Sequence, residues 1–177
     1  MTITPDDKDW TWVIERPCEQ CGFDASNVRL ADAPDMIRSN ARQWSRVLSR
    51  DTARRRPRED RWSDLEYACH VRDVYTIFDQ RLALMLTRED PVFENWDQDA
   101  TAVEDRYDLQ DPSVVLDELQ SAAERYAQQC DAVDSSQWSR PGTRSNGSVF
   151  TVASLIVYGL HDPHHHLWDV DASIPPQ

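Results

Sequence analysis

Glycine is scarce in this chain, with four residues among 177. None of the four falls in a Gly-rich phosphate loop, so that route to nucleotide binding is excluded. Long apolar runs are missing too. No stretch approaches the roughly 18 residues that a membrane helix needs, and the opening M-T-I-T-P-D-D-K-D-W has no signal-peptide core. A soluble, cytoplasmic protein is expected, with its four cysteines mostly reduced. Positive charge is in deficit: 19 Lys and Arg stand against 32 Asp and Glu, a formal charge of -13. Such a protein repels phosphate backbones and anionic lipid, which argues against nucleic acid or a membrane as partner. Clear period-two alternation is rare, and with so few glycines this points to an all-α fold. There is no internal repeat and no low-complexity tract. The length suits one domain with a sizeable core.

What is present reads as a lead-in over residues 1–31, a helical core over 32–170 and a tail over 171–177. The lead-in carries Cys18-Glu19-Gln20-Cys21-Gly22-Phe23. A Cys-x-x-Cys pair is half of a structural zinc site, and no second such pair follows. A turn whose thiols pack under the bundle is the plain reading, with a redox pair or a local metal clip as alternatives. Asp32 is placed to cap a first helix ending near Leu48, with Pro34 and Asp35 in its first turn. The segment from Arg50 to Arg61 holds Arg54, Arg55, Arg56, Arg58 and Arg61. It is either a site for an anionic ligand or a solvated loop neutralised by nearby carboxylates.

Ser63-Asp64-Leu65-Glu66 forms a capping box that starts a second helix running to about Leu86. On that helix His70 shares a face with Glu66 and Asp73. Residues 88–110 make a long connection, expected to cross the mouth of a bundle with Phe93, Trp96 and Tyr107 as apolar walls and Asp97 or Asp99 adding polarity. Asp111-Pro112 starts a third helix that runs to about Val133. A turn-rich loop, 134–147, leads into the last helix.

That last stretch, Thr151 to Val170, holds four of the five histidines, and the fifth is His70. On one helix His161 and His165 project together, with His164 at the edge of their face. Histidines at i and i+4 can chelate one divalent cation, and His70 is the remaining imidazole to complete three ligands with a vacant position. Pro163 interrupts the hydrogen bond to the carbonyl of Gly159. Two readings follow: a single kinked helix, favoured by the unbroken apolar stripe, or a new helix capped by Asp162.

The pattern W-S-x-x-E-Y-x-x-H-x-x-D over Trp62 to Asp73, followed by H-x-x-H-H over His161 to His165, resembles the DinB-like superfamily of four-helix metalloproteins. That superfamily includes thiol-dependent S-transferases and maleylpyruvate isomerases. The resemblance covers roughly Ala33 to Val170. It implies a four-helix bundle whose internal metal is bound by His70, His161 and His165. Glu66 and Asp73 become candidates to orient His70 or to carry a proton. Zinc or nickel fits three imidazoles, with iron or manganese as alternatives. The implied activity is S-transfer or isomerisation of an electrophilic small molecule by a metal-bound thiolate, with a low-molecular-weight thiol such as mycothiol as cofactor. Hydrolysis by metal-activated water is a second expectation, and a non-catalytic metal- or ligand-binding bundle a third. Seven tryptophans leave room for a homodimer interface.

Overall fold

A computed structural model describes Ile3 and residues 9–172; most of the first eight residues, and positions 173–177 of the expected tail, lie outside the described residues. Among the described residues the chain forms α1 (Ala33–Leu48), α2 (Asp64–Thr87), α3 (Gln98–Glu104), α4 (Pro112–Asp131) and α5 (Val152–Ala172). α1 and α2 each pack against both α4 and α5, giving the expected four-helix bundle, with the short α3 set against α2. Trp44, Tyr75, Leu82, Leu119, Tyr126 and Leu155 are fully buried at its centre. No helix among the described residues is long and apolar enough to cross a membrane.

The helix starts follow local chemistry. At α2 the Ser63 hydroxyl accepts from the Glu66 N–H at 3.2 Å, and the Glu66 carboxylate accepts from the Ser63 N–H at 2.9 Å. At α4 the Asp111 carboxylate accepts from the Ser113 N–H at 2.9 Å, with Pro112 in the first turn. α1 differs from expectation. Asp32 occupies the cap position without a side-chain cap bond: its backbone is already helical rather than extended, and its carboxylate pairs with Arg29 at 3.0 Å.

α5 runs unbroken through Pro163, so Asp162 does not cap a new helix. Gly159 sits where α5 meets α2 and α4. A Cβ built there would lie 2.5 Å from the Phe78 ring and 2.8 Å from the Tyr126 hydroxyl. Gly159→Ala must displace a buried aromatic ring, and a destabilisation of about 1–3 kcal/mol in chemical denaturation is expected, despite the better helix propensity of alanine.

Glu66 has a second partner. It is buried and accepts from the Arg56 guanidinium at 2.9 Å. Burial works to raise its carboxyl, but Arg56 and the Ser63 N–H outweigh burial and hold it below its ordinary value. The folded state therefore prefers the ionised form. That preference contributes stability above the ordinary Glu value of 4.5 and is lost as the pH falls through the lowered folded value. Glu66→Gln keeps the capping geometry and loses the charge. It is expected to cost about 1–3 kcal/mol at neutral pH and to flatten the acid limb of the stability profile.

Four other arginines of this segment are also engaged: Arg50 with Asp64 and Asp171, Arg54 with Asp111, Arg58 with Asp60, and Arg61 with Asp169. The reading of this loop as a neutralised surface segment accounts for these pairs.

A small sheet was not foreseen. β1 (Val92–Phe93) pairs in parallel with β2 (Pro141–Arg144), which pairs antiparallel with β3 (Val149–Thr151). Strands of two to four residues are too short to show alternation. Their effect is large, because Phe93 sits opposite Arg144. This pairing ties the long connection to the 134–147 loop at one end of the bundle.

Candidate metal centre

The middle turns of α5 present two faces. Asp162 and His166 turn toward α2, where His70 stands, while His161 and His165 turn toward the lead-in, where Cys18 and Cys21 stand. The expected trio of His70, His161 and His165 is thus divided between two clusters, and His70 takes Asp162 and His166 as its neighbours. One step along a helix rotates a side chain by about 100°. In H-D-P-H-H-H the i, i+4 spacing is satisfied twice, by His161 with His165 and by Asp162 with His166. Helix packing selects which pair meets α2, and sequence spacing does not.

In the first cluster the His70 Nε2 stands 3.2 Å from the Asp162 Oδ1, and the His166 Nε2 stands 3.4 Å from the same oxygen. One donor atom from each of the three residues lies within 4.8 Å of the other two. Burial would raise the Asp162 carboxyl, but the imidazoles of His70 and His166 outweigh it and hold the group below the usual carboxylate range. It is therefore ionised and aimed between two ring nitrogens. Two imidazoles and a carboxylate are a donor set that suits a divalent cation.

The supports around these three residues explain much of the sequence pattern. His70 is fully buried. The Trp96 ring stacks on it at 5.3 Å and 8°, and Trp62 packs on it at 5.3 Å. Tyr67 packs on His166 at 5.1 Å. The His166 Nδ1 stands 3.0 Å from the Asp169 Oδ2, and Asp169 is held by Arg61 at 3.1 Å. A carboxylate on the rear nitrogen fixes the tautomer that leaves Nε2 bare.

In the W-S-x-x-E-Y-x-x-H stretch, Trp62 walls the histidine, Ser63 and Glu66 cap its helix, and Tyr67 braces the opposing ring. The roles proposed for Glu66 and Asp73 are not supported by this geometry. Glu66 is committed to Arg56 and Ser63, and Asp73 to Arg72 and the Tyr107 hydroxyl. The His70 Nδ1 has no hydrogen-bond partner.

A cleft of about 490 Å3 opens over Asp162 and His166, and His161 and His165 also reach its wall. Trp96, Asp97 and Asp99 from the long connection line it, together with Arg144 and Asn146 from the β2–β3 hairpin. The connection does cross the mouth of the bundle. Phe93 and Tyr107, expected as further walls, are buried in the core instead. Burial pushes the thiols of Cys69 and Cys130 up to about 12, so neither is an activated nucleophile.

In the second cluster the Cys18 Sγ lies 3.7 Å from the His165 Nδ1. Burial pushes His161 down to about 4, which makes it a neutral imidazole at pH 7.

Together these features describe a helical bundle with two imidazoles and a carboxylate gathered at a polar cleft. Residues 35–170 match the model of the DinB superfamily, and the chain belongs to that family. Among solved structures it is similar to YfiT from Bacillus subtilis, with 20% identity and a TM-score of 0.68, over 81% of this chain and 85% of that one. YfiT is described as a probable metal-dependent hydrolase with an unusual four-helix bundle topology. The chain matches no curated protein.

Sequence reasoning missed Asp162, His166 and Asp169. The available signal was the second i, i+4 pair, Asp162 with His166, one step along from the first.

Proposed function

We propose that this chain is a metal-dependent enzyme whose cation is held by His70 Nε2, Asp162 Oδ1 and His166 Nε2. The observation that carries this reading is the convergence of those three atoms within 4.8 Å, with Asp162 and His166 lining a cleft large enough for a small molecule and His70 buried behind them. A divalent cation there supplies Lewis acidity toward an oxygen or sulfur atom in its open positions. The carboxylate suits zinc, and relative to three imidazoles it shifts the alternatives from nickel toward iron or manganese.

The chain's own residues do the rest. Asp169 and Arg61 hold the His166 ring. Trp62 and Trp96 fix the His70 ring and keep water from its faces. Asp9, Asp97, Asp99 and Asp162 line the cleft against one guanidinium, Arg144, which favours neutral or cationic substrates over anionic ones. Asp99 is the candidate to accept a proton from an attacking water.

The favoured reaction is hydrolysis of a small molecule. It needs no cofactor beyond the cation and agrees with the description of YfiT. Thiol-dependent S-transfer or isomerisation is the second reading. The cleft volume of about 490 Å3 accommodates a thiol beside a substrate, and the family resemblance supports it. Turnover of a substrate panel by untagged, metal-loaded protein separates the two. Hydrolysis proceeds without added thiol, whereas S-transfer requires one. A protein that holds no metal in the cleft, and turns over nothing with or without thiols, would defeat both.

A further inference from the structure

We infer that Cys18, Cys21, His161 and His165 form a second, structural zinc site that pins the lead-in to α5. One donor atom from each residue lies within 4.8 Å of the others. Zinc bonds of about 2.3 Å to sulfur and 2.0–2.1 Å to nitrogen, at the tetrahedral angle, place sulfur and nitrogen about 3.6 Å apart. The Cys18 Sγ and the His165 Nδ1 are 3.7 Å apart.

Two further observations point to a ligand. The His161 Nε2 is buried without a hydrogen-bond partner, a costly state for a ring nitrogen unless something else occupies it. The cysteine turn is also shaped by its backbone to bring two thiols together. The Cys18 N–H donates to the Phe23 carbonyl at 2.8 Å, and the Gly22 N–H donates to the Cys18 carbonyl at 2.8 Å. Gly22 takes φ +74°, a left-handed conformation that most side chains resist. The His164 Nε2 lies 3.1 Å from the Cys21 carbonyl and braces the same turn from α5.

Phe23 packs on His161 at 5.5 Å, and Trp10 packs on His165 at 5.1 Å, so the cluster has an aromatic shell. The His165 Nε2 stands 3.8 Å from the Asp169 Oδ2, the carboxylate that also holds His166. A Cys18–Cys21 disulfide would use two of these four groups and leave His161 unexplained. Two sulfurs and two nitrogens in tetrahedral reach are the donor set of structural zinc. All four positions are filled by protein, so the site offers no opening for substrate. On binding, both thiols lose their protons to solvent and both imidazoles bind as neutral rings. The staple sets Trp10, which also lines the cleft, and it shares no ligand with the cation at His70.

The test loads the untagged full-length chain with cobalt in place of zinc under reducing conditions. A thiolate-to-cobalt charge-transfer band is expected, weakened in Cys18→Ser, lost when Cys21→Ser is added to it, and kept in His70→Ala. On the wild type, zinc should protect Cys21, the more exposed thiol, from alkylation, and a chelator should abolish that protection. A cobalt-loaded protein without the band, or alkylation of Cys21 unaffected by zinc, overturns the inference whatever the variants do. Loss of cleft metal in His70→Ala with the charge-transfer band intact supports the inference and separates this site from the one proposed for catalysis.

Discussion

Replacing His166 by alanine is expected to weaken metal binding in the cleft by at least about 100-fold. The imidazole supplies one of three donors, and loss of a ligand should exceed the 10–100-fold that follows from disturbing its outer partners. Asp169→Asn probes those outer partners. It removes the charge facing the His166 Nδ1 at 3.0 Å and is expected to cost about 10–100-fold. His161→Ala serves as the contrast. That ring belongs with Cys18 and Cys21, so its removal should leave the cleft cation bound. Competition titration against a chromophoric chelator, with each variant checked by circular dichroism, gives the three affinities. Equal losses for His161→Ala and His166→Ala would count against the division of α5 into two faces.

Trp44→Ala is expected to destabilise the fold by about 3–5 kcal/mol, the range for truncating a fully buried tryptophan. The ring is 0% exposed on the inner face of α1, and its Nε1 donates to the Asn40 Oδ1 at 3.3 Å. The same Asn40 oxygen accepts from the Tyr75 hydroxyl at 2.8 Å, so Asn40 links α1 to α2. Truncation opens a cavity in the core and removes one of the two donors that hold Asn40. For a chain of this length the loss should lower Tm by on the order of 6–20 °C. Trp44→Phe keeps most of the volume and should cost less than half as much. If the two variants lose equal stability, the hydrogen bond rather than the cavity carries the effect.

The parts of the molecule that were legible in the sequence are those set by local chemistry. The Ser63–Glu66 capping box and Asp111-Pro112 mark helix starts because a side chain within three residues satisfies the orphan N–H groups. The apolar stripe through Pro163 was a sound guide to one continuous α5. His70 stood out because it is the one histidine outside the last helix. What could not be read depends on how elements meet. Asp162 and His166 become neighbours of His70 only through the rotation of α5 about its axis, which spacing leaves open. Cys18 and Cys21 lacked a visible second pair because their partners are imidazoles more than 130 residues away in sequence. The β1–β2 pairing that shapes the cleft joins two strands too short to leave a pattern.

The most direct test of the central claim is an anomalous difference map from crystals of the untagged, metal-loaded chain. The account predicts a cleft peak within about 2.0–2.2 Å of His70 Nε2, Asp162 Oδ1 and His166 Nε2, with His161 and His165 bonded elsewhere. A peak joining His70 to His161 and His165, or a cleft without any peak, would contradict it.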